Sequence, residues 1–286
     1  MAIRDILVSL DPSAAGEARL RLALALAGSH KAKLTALCVL PTPRDTAPLI
    51  GVGPLPPTTA AWTLAPAAGP PRDPERAEEA ERLFRSELRA RGIEGEWYLI
   101  DESDVVEFVE YANTVDLTIL GQQPSEAQAA TGVGFAPDMV VVEVGRPVLV
   151  VPYAGKFETV GRRPLIAWDG SREAARALGD ALPLLDGAER VTVIYVGTGE
   201  TQLERARPSL DRIVHHLQRH AIKAGGEEAP RGDIAISDLL LSRAADLGAD
   251  MIVAGAYHHS PLREALLGGV SRELLQHMTV PVLMSH

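Results

Sequence analysis

Two stretches decide the fold when laid side by side: DILVSLDPSAAGEARLRLALALA at residues 5–27 and PLIAWDGSREAARALGDALPLL at residues 164–185. Each reads as an apolar run ending in Asp, a small-residue turn with Ser, and an amphipathic helical pattern. Asp11 and Asp169 are 158 residues apart. Two further pairs repeat at a spacing of 134: DLTILG, ending at Gly121, with DMIVAG, ending at Gly255, and RPVLVVP, with Pro147, against VPVLMSH, with Pro281. The chain is therefore a tandem repeat. Its first copy is 24 residues longer, between its second and fourth strands.

Residues 41–72, PTPRDTAPLIGVGPLPPTTAAWTLAPAAGPPR, hold that surplus and nine of the 21 prolines. Proline fixes φ and removes a backbone donor, so the stretch reads as an insertion rather than a helix or an interior strand. It is either a loosely packed connection or a lid or docking segment using Trp62 and Leu64.

In each copy short Val/Ile/Leu runs alternate with helical patterns. The second copy predicts strands at 165–168, 191–196, 222–229, 251–255 and 281–285. The first predicts ILVSL, LTALCVL, GEWYLI, LTILG and PVLVVP, with helices near 14–28, 74–91, 104–113 and 136–145. Apolar strands separated by helices mean parallel strands buried on both faces. The fold class is α/β: two tandem five-stranded parallel-sheet, Rossmann-like domains at 1–153 and 163–286, joined by a linker at 154–162.

The 286 residues carry 28 Lys+Arg against 38 Asp+Glu, a formal net charge of −10. Nucleic acid and anionic membranes demand a basic face and are disfavoured as partners. A lone Cys38 leaves no internal disulfide and no Cys-based zinc site. Charges at Arg4 and Asp5 argue against a signal peptide, and no run of 18 apolar residues predicts a membrane span. A cytoplasmic protein is expected.

Ligands of open parallel sheets bind beyond the carboxyl ends of the strands, where strand order reverses. Three places in the second copy meet that condition. At Asp169-Gly170-Ser171, Ser171 reads as a helix N-cap and Gly170 as a turn residue, while a strand-end Asp suits ribose hydroxyls or an adenine amino group. Tyr195 and Val196 end the second strand and either pack in the core or line an adenine pocket. Gly255, Gly268 and Gly269 bracket the approach to the last helix. Their backbone N–H groups either cradle an anion or simply permit a tight helix entry.

At these residues the chain resembles the universal stress protein family along nearly its whole length, as a tandem pair. Nucleotide-binding members carry an Asp after the first strand and a motif of Gly, two residues, Gly, nine residues, then Gly-Ser or Gly-Thr. Here the motif positions are Gly255, His258, Gly268 and Gly269, followed by Val270. His258 replaces the second Gly and either contacts a phosphate or occupies its space; Gly269 replaces the hydroxyl residue. The corresponding positions of the first copy are Gly121, Pro124, Gly134 and Phe135, with Asp11 followed by Pro12, which reads as a degenerate site.

The resemblance implies a nucleotide α-hydrolase-like fold, pairing of the terminal strands 147–152 and 280–285, and a homodimer or an intramolecular pair of domains. It further implies ATP or another adenine nucleotide in the second copy, with Mg accompanying ATP, and a regulatory role in the stress response. The alternatives are an interaction scaffold in which both sites have decayed, and an adenine-nucleotide α-hydrolase enzyme. No P-loop, GxGxxG or GxSxG occurs, and no catalytic residue is assigned. His216 and His220 have i,i+4 spacing but read as a solvated helix face rather than a metal site.

Overall fold

The structure, a computed structural model, describes residues 2–40, 73–123, 135–256 and 269–286. The first half runs β1 (Asp5–Leu10), α1 (Ala14–His30), β2 (Lys33–Leu40), α2 (Pro74–Arg91), β3 (Gly95–Asp101), α3 (Val105–Asn113), β4 (Leu117–Gly121), α4 (Pro137–Glu143) and β5 (Val148–Val151). The second half runs β6 (Pro164–Ala167), α5 (Arg172–Ala181), a 3₁₀ turn at Leu182–Leu185, β7 (Val191–Gly197), α6 (Glu200–Arg219), β8 (Ala224–Pro230), α7 (Ile236–Asp246), β9 (Met251–Gly255), α8 (Gly269–His277) and β10 (Val282–Ser285). The expected strands thus form where the apolar runs stand. The insertion at 41–72 lies outside the described residues.

Local chemistry sets the helix boundaries. The Ser13 hydroxyl accepts the Gly16 N–H at 3.1 Å to start α1, and Asp73 caps the Arg76 N–H at 3.2 Å with Pro74 next. The helix α1 stops where Lys31 turns left-handed at φ 54°.

The described strands form one ten-stranded sheet in the order β3-β2-β1-β4-β5-β10-β9-β6-β7-β8. Pairing is parallel within each half and antiparallel at the seam, where Val282, Leu283 and Met284 face Val150, Leu149 and Val148. The expected meeting of the terminal strands is present. It leaves neither β5 nor β10 as an open edge.

Each face of the sheet carries one apolar layer that continues across the seam. One layer joins Ile6, Leu149, Ile166 and Leu283 to α1, α2, α5 and α6. The other joins Leu7, Val148, Leu165 and Val282 to α3, α4, α7 and α8. Polar groups also cross. Gln122, nearly buried beyond β4, donates from its amide to the Leu275 and Gln276 carbonyls at 3.0 and 2.8 Å, satisfying the end of α8. In the opposite direction the Arg176 guanidinium on α5 donates to the Gly145 carbonyl at 3.2 Å.

The repeat extends to its hydrogen bonds. Asp116 accepts the backbone N–H groups of Arg4 and Asp5 at 2.7 and 3.2 Å. Asp250 accepts those of Arg162 and Arg163 at 2.8 and 2.9 Å. The Asp that opens DLTILG and DMIVAG is therefore a clamp on the start of the first strand in each half.

Candidate functional site

In the second half β6 lies between β7 and β9, so successive crossovers leave in opposite directions and open a crevice at its carboxyl end. Pairing of β6 with β7 ends at Ala167 opposite Ile194, and the Trp168 N–H makes one further bond to the Ile194 carbonyl at 2.9 Å. The strand β7 continues to Gly197, held by β8 on its other side. Alternate residues of a strand present their backbone to the same neighbour, so Val196 turns its N–H and C=O toward a strand that has already ended.

Asp169 stands exposed at that point, and one of its oxygens accepts the Ser171 N–H at 2.9 Å. Gly170 makes the turn at φ +80°, a conformation most side chains resist. The Ser171 hydroxyl accepts the Ala174 N–H at 3.1 Å, so the expected N-cap of α5 is formed. Tyr195 is half-buried against the apolar layer, and its phenol oxygen accepts from the Gln202 amide at 3.3 Å. Gln202 also accepts from the Thr198 N–H and hydroxyl at 2.7 and 2.8 Å, tying the end of β7 to α6.

On the other flank, a Cβ at Gly255 would lie 2.5 Å from the Ala174 nitrogen and 2.6 Å from the Glu173 carbonyl carbon. Only glycine admits the first turn of α5 against the end of β9. Opposite Gly255, the Ser285 hydroxyl is buried with no hydrogen-bond partner among the described residues. Gly269 and Val270 start α8, both exposed, and the Glu273 carboxylate lies 3.8 Å from where a Gly269 Cβ would be. The nearly buried Ser237 donates its hydroxyl to that carboxylate at 2.7 Å. His258 and Gly268 lie outside the described residues, so of the expected site the structure places Asp169, Gly170, Ser171, Tyr195, Val196, Gly255, Gly269 and Val270.

The first half closes the equivalent point with its own side chain. Arg19 is buried, donates from Nε to the Ser9 carbonyl at 2.6 Å and pairs with the Asp11 carboxylate. Its guanidinium covers Gly121, where any Cβ would overlap it. The counterpart in α5 is Ala177, which carries no polar group. Sequence reasoning passed over Arg19; its signal is a lone Arg among Gly16, Leu20 and Ala23 on the apolar face of α1. Phe135, which stands at the motif's last position in the degenerate first copy, packs in the core with its ring centroid 4.5 Å from that of Phe108. Pro124 and Gly134 lie outside the described residues.

Other candidates behave as ordinary structure. His216 and His220 stack edge to face at 4.7 Å, and burial followed by the charge of His220 lowers the His216 pKa. Cys38 is buried in the core, and burial pushes its thiol up to about 12, with Asp11 and Glu81 adding to the rise. Among the described residues no three His, Cys, Asp or Glu side chains converge to hold a metal, and no helix is long and apolar enough to cross a membrane.

Comparison with known proteins fits this geometry. A universal stress protein of Archaeoglobus fulgidus superposes with a TM-score of 0.69 at 17% identity, over 98% of this chain and 97% of its own. A putative universal stress protein of Pseudomonas aeruginosa gives 0.63 at 19% identity, over 99% and 93%. Both likenesses establish the fold across both halves. In sequence, the universal stress protein Slr1230 of Synechocystis is 27% identical over 183 residues, a match spanning 59% of this chain and 57% of that relative. The model of the universal stress protein family matches residues 162–286, the half that holds the open crevice. The likeness to the universal stress protein family is thus carried in sequence by residues 162–286 and in fold by the whole chain.

Proposed function

We propose that residues 163–286 form a domain that binds ATP or a related adenine nucleotide in the crevice between Asp169, Val196 and Gly255. Residues 1–153 form a partner domain whose own crevice is shut, and 154–162 link the two. The observation that carries this reading is the contrast at the two switch points: Asp169 is exposed beside Val196, which lies past the last paired residue of β6, whereas Asp11 is paired with Arg19. In this reading Asp169 takes a ribose hydroxyl, the Val196 backbone takes the adenine edge, and the start of α8 at Gly269 and Val270 faces the phosphates. Gly255 lets the first turn of α5 close on the end of β9, which sets the crevice wall.

No side chain is assigned to acid–base work. The nucleotide serves as a conformational ligand of a cytoplasmic stress-response regulator, which the resemblance pairs further into a homodimer. Magnesium, where present, is carried by the nucleotide phosphates.

Titration calorimetry with ATP tests the reading. Asp169→Ala should weaken binding about ten- to a hundred-fold, the cost of one charge-assisted hydrogen bond, while Asp11→Ala leaves affinity unchanged. A second reading, an interaction scaffold without nucleotide, is favoured by one observation. Glu273 places negative charge beside the start of α8, where a phosphate would have to sit. Absence of any heat with ATP, joined to a stable fold, selects that scaffold.

A further inference from the structure

A cavity of about 240 Å³ lies in the first half between α1 and α2, away from the crevice of the second half. Leu10, Pro12, Leu20, Ala80 and Leu83 make its apolar wall, and Glu17 and Glu79 stand at it among the charged groups. The repeat shows what such a space takes. Leu10 precedes Asp11 as Trp168 precedes Asp169, and both pack on the same apolar layer. The Trp168 indole reaches across to α6 and donates its N–H to the Ser209 hydroxyl at 3.1 Å.

The matching position on α2 follows from the helix ends. Ile93 donates its N–H to the Leu88 carbonyl at 3.0 Å, and Ile222 donates to the Leu217 carbonyl at 3.1 Å. Members of these pairs lie 129 residues apart, as do Ala80 and Ser209. The first half therefore has Leu and Ala where the second has an indole and its acceptor. The indole that reaches the second helix from the strand end in one half is missing from the other, and a cavity stands there.

We propose that this α1–α2 cavity binds a small planar bicyclic heteroaromatic molecule bearing an N–H donor, of indole size. The volume is below that of drug-sized pockets and above the 150 Å³ or so of apolar cavities that accept a single benzene ring. Asp11, Glu17 and Glu79 outnumber Arg76 at the lining, which favours a neutral or cationic ring with its N–H toward a carboxylate and disfavours an anionic one. The site is independent of Asp169 and of the proposed nucleotide reading.

Titration calorimetry of the full chain with indole tests it. One saturable site is expected, with Leu10→Trp/Ala80→Ser abolishing binding by restoring the pair found in the second half. Ala80→Leu, at a half-exposed helix position that tolerates an aliphatic side chain, should weaken binding at least ten-fold. The reciprocal change, Trp168→Leu/Ser209→Ala, should raise the stoichiometry from one indole to two, and Asp169→Ala should leave indole binding as it was. Absence of saturable binding up to the solubility of indole would overturn the proposal. So would binding that survives both Leu10→Trp/Ala80→Ser and Ala80→Leu, a stoichiometry that stays at one in the reciprocal variant, or binding lost in Asp169→Ala.

Discussion

Arg19 and Asp11 show how much one residue decides. Both are largely withdrawn from water, with side-chain exposures of 7% and 16%. Removing one partner of such a pair strands the other, at a cost of about 3–5 kcal/mol. Arg19→Ala should therefore lower the unfolding free energy obtained from urea denaturation by that amount and leave nucleotide affinity in the second half unchanged. Asp11→Ala should also destabilise, so its affinity is best measured well below its melting temperature. Gly255→Ala is expected to be worse tolerated than Gly121→Ala. The first meets fixed backbone of α5 at 2.5 Å, the second only the end of a side chain. Thermal melts of the two variants check the order.

His30, at the end of α1, gives a pH signature. Burial lowers its pKa below the ordinary 6.5, opposed by the charge of Asp186 from the other half. The unfolded chain then takes up this proton more readily than the folded one. Its contribution is intact above about pH 6.5 and is lost as pH falls through that value toward the lower folded pKa. His30→Gln should flatten this part of the stability profile in denaturant titrations from neutral to mildly acid pH. Cys38, with a thiol near 12 and no exposure, should react with thiol reagents only at the rate of unfolding.

At the scale of elements, the sequence was most readable where periodicity and punctuation coincide. Val/Ile/Leu runs closed by Asp or Gly located the strands, and Ser171 announced the N-cap of α5. Even β8, AGGEEAP, whose composition hardly favours a strand, forms along the whole of β7 because parallel pairing overrides local preference. What stayed illegible were contacts between residues distant in sequence. Asp116 and Asp250 open the repeated DLTILG and DMIVAG, and nothing in the sequence shows that each clamps two N–H groups more than eighty residues away. Gln122 gave no sign that it closes α8. Glu273 reaches Gly269 through the helical rise, a proximity visible only once α8 starts at Gly269. Replacing Gln122 by Leu leaves two carbonyls of α8 without their donor, and a loss of about 1–3 kcal/mol is expected in chemical denaturation.

At the scale of the molecule, both apolar layers cross the seam, so the halves share their cores. Leu149 and Leu283 face each other there, both fully buried. Leu283→Ala should cost about 2–5 kcal/mol and should weaken both halves together in a single transition rather than melt one alone. Residues 163–286 produced by themselves would expose β10, and pairing of two such edges in place of β5 should give a concentration-dependent dimer in sedimentation experiments.

The seam between β5 and β10 also has a genetic consequence. In a symmetric dimer of one repeat, every substitution appears on both sides, so a change that closes one crevice closes its twin. Here the two sides are encoded separately. Arg19 opposite Ala177, and Leu10 opposite Trp168, are differences that a homodimer of one repeat could not carry. The covalent join thus frees each half to mutate under its own selection while the other preserves the shared sheet.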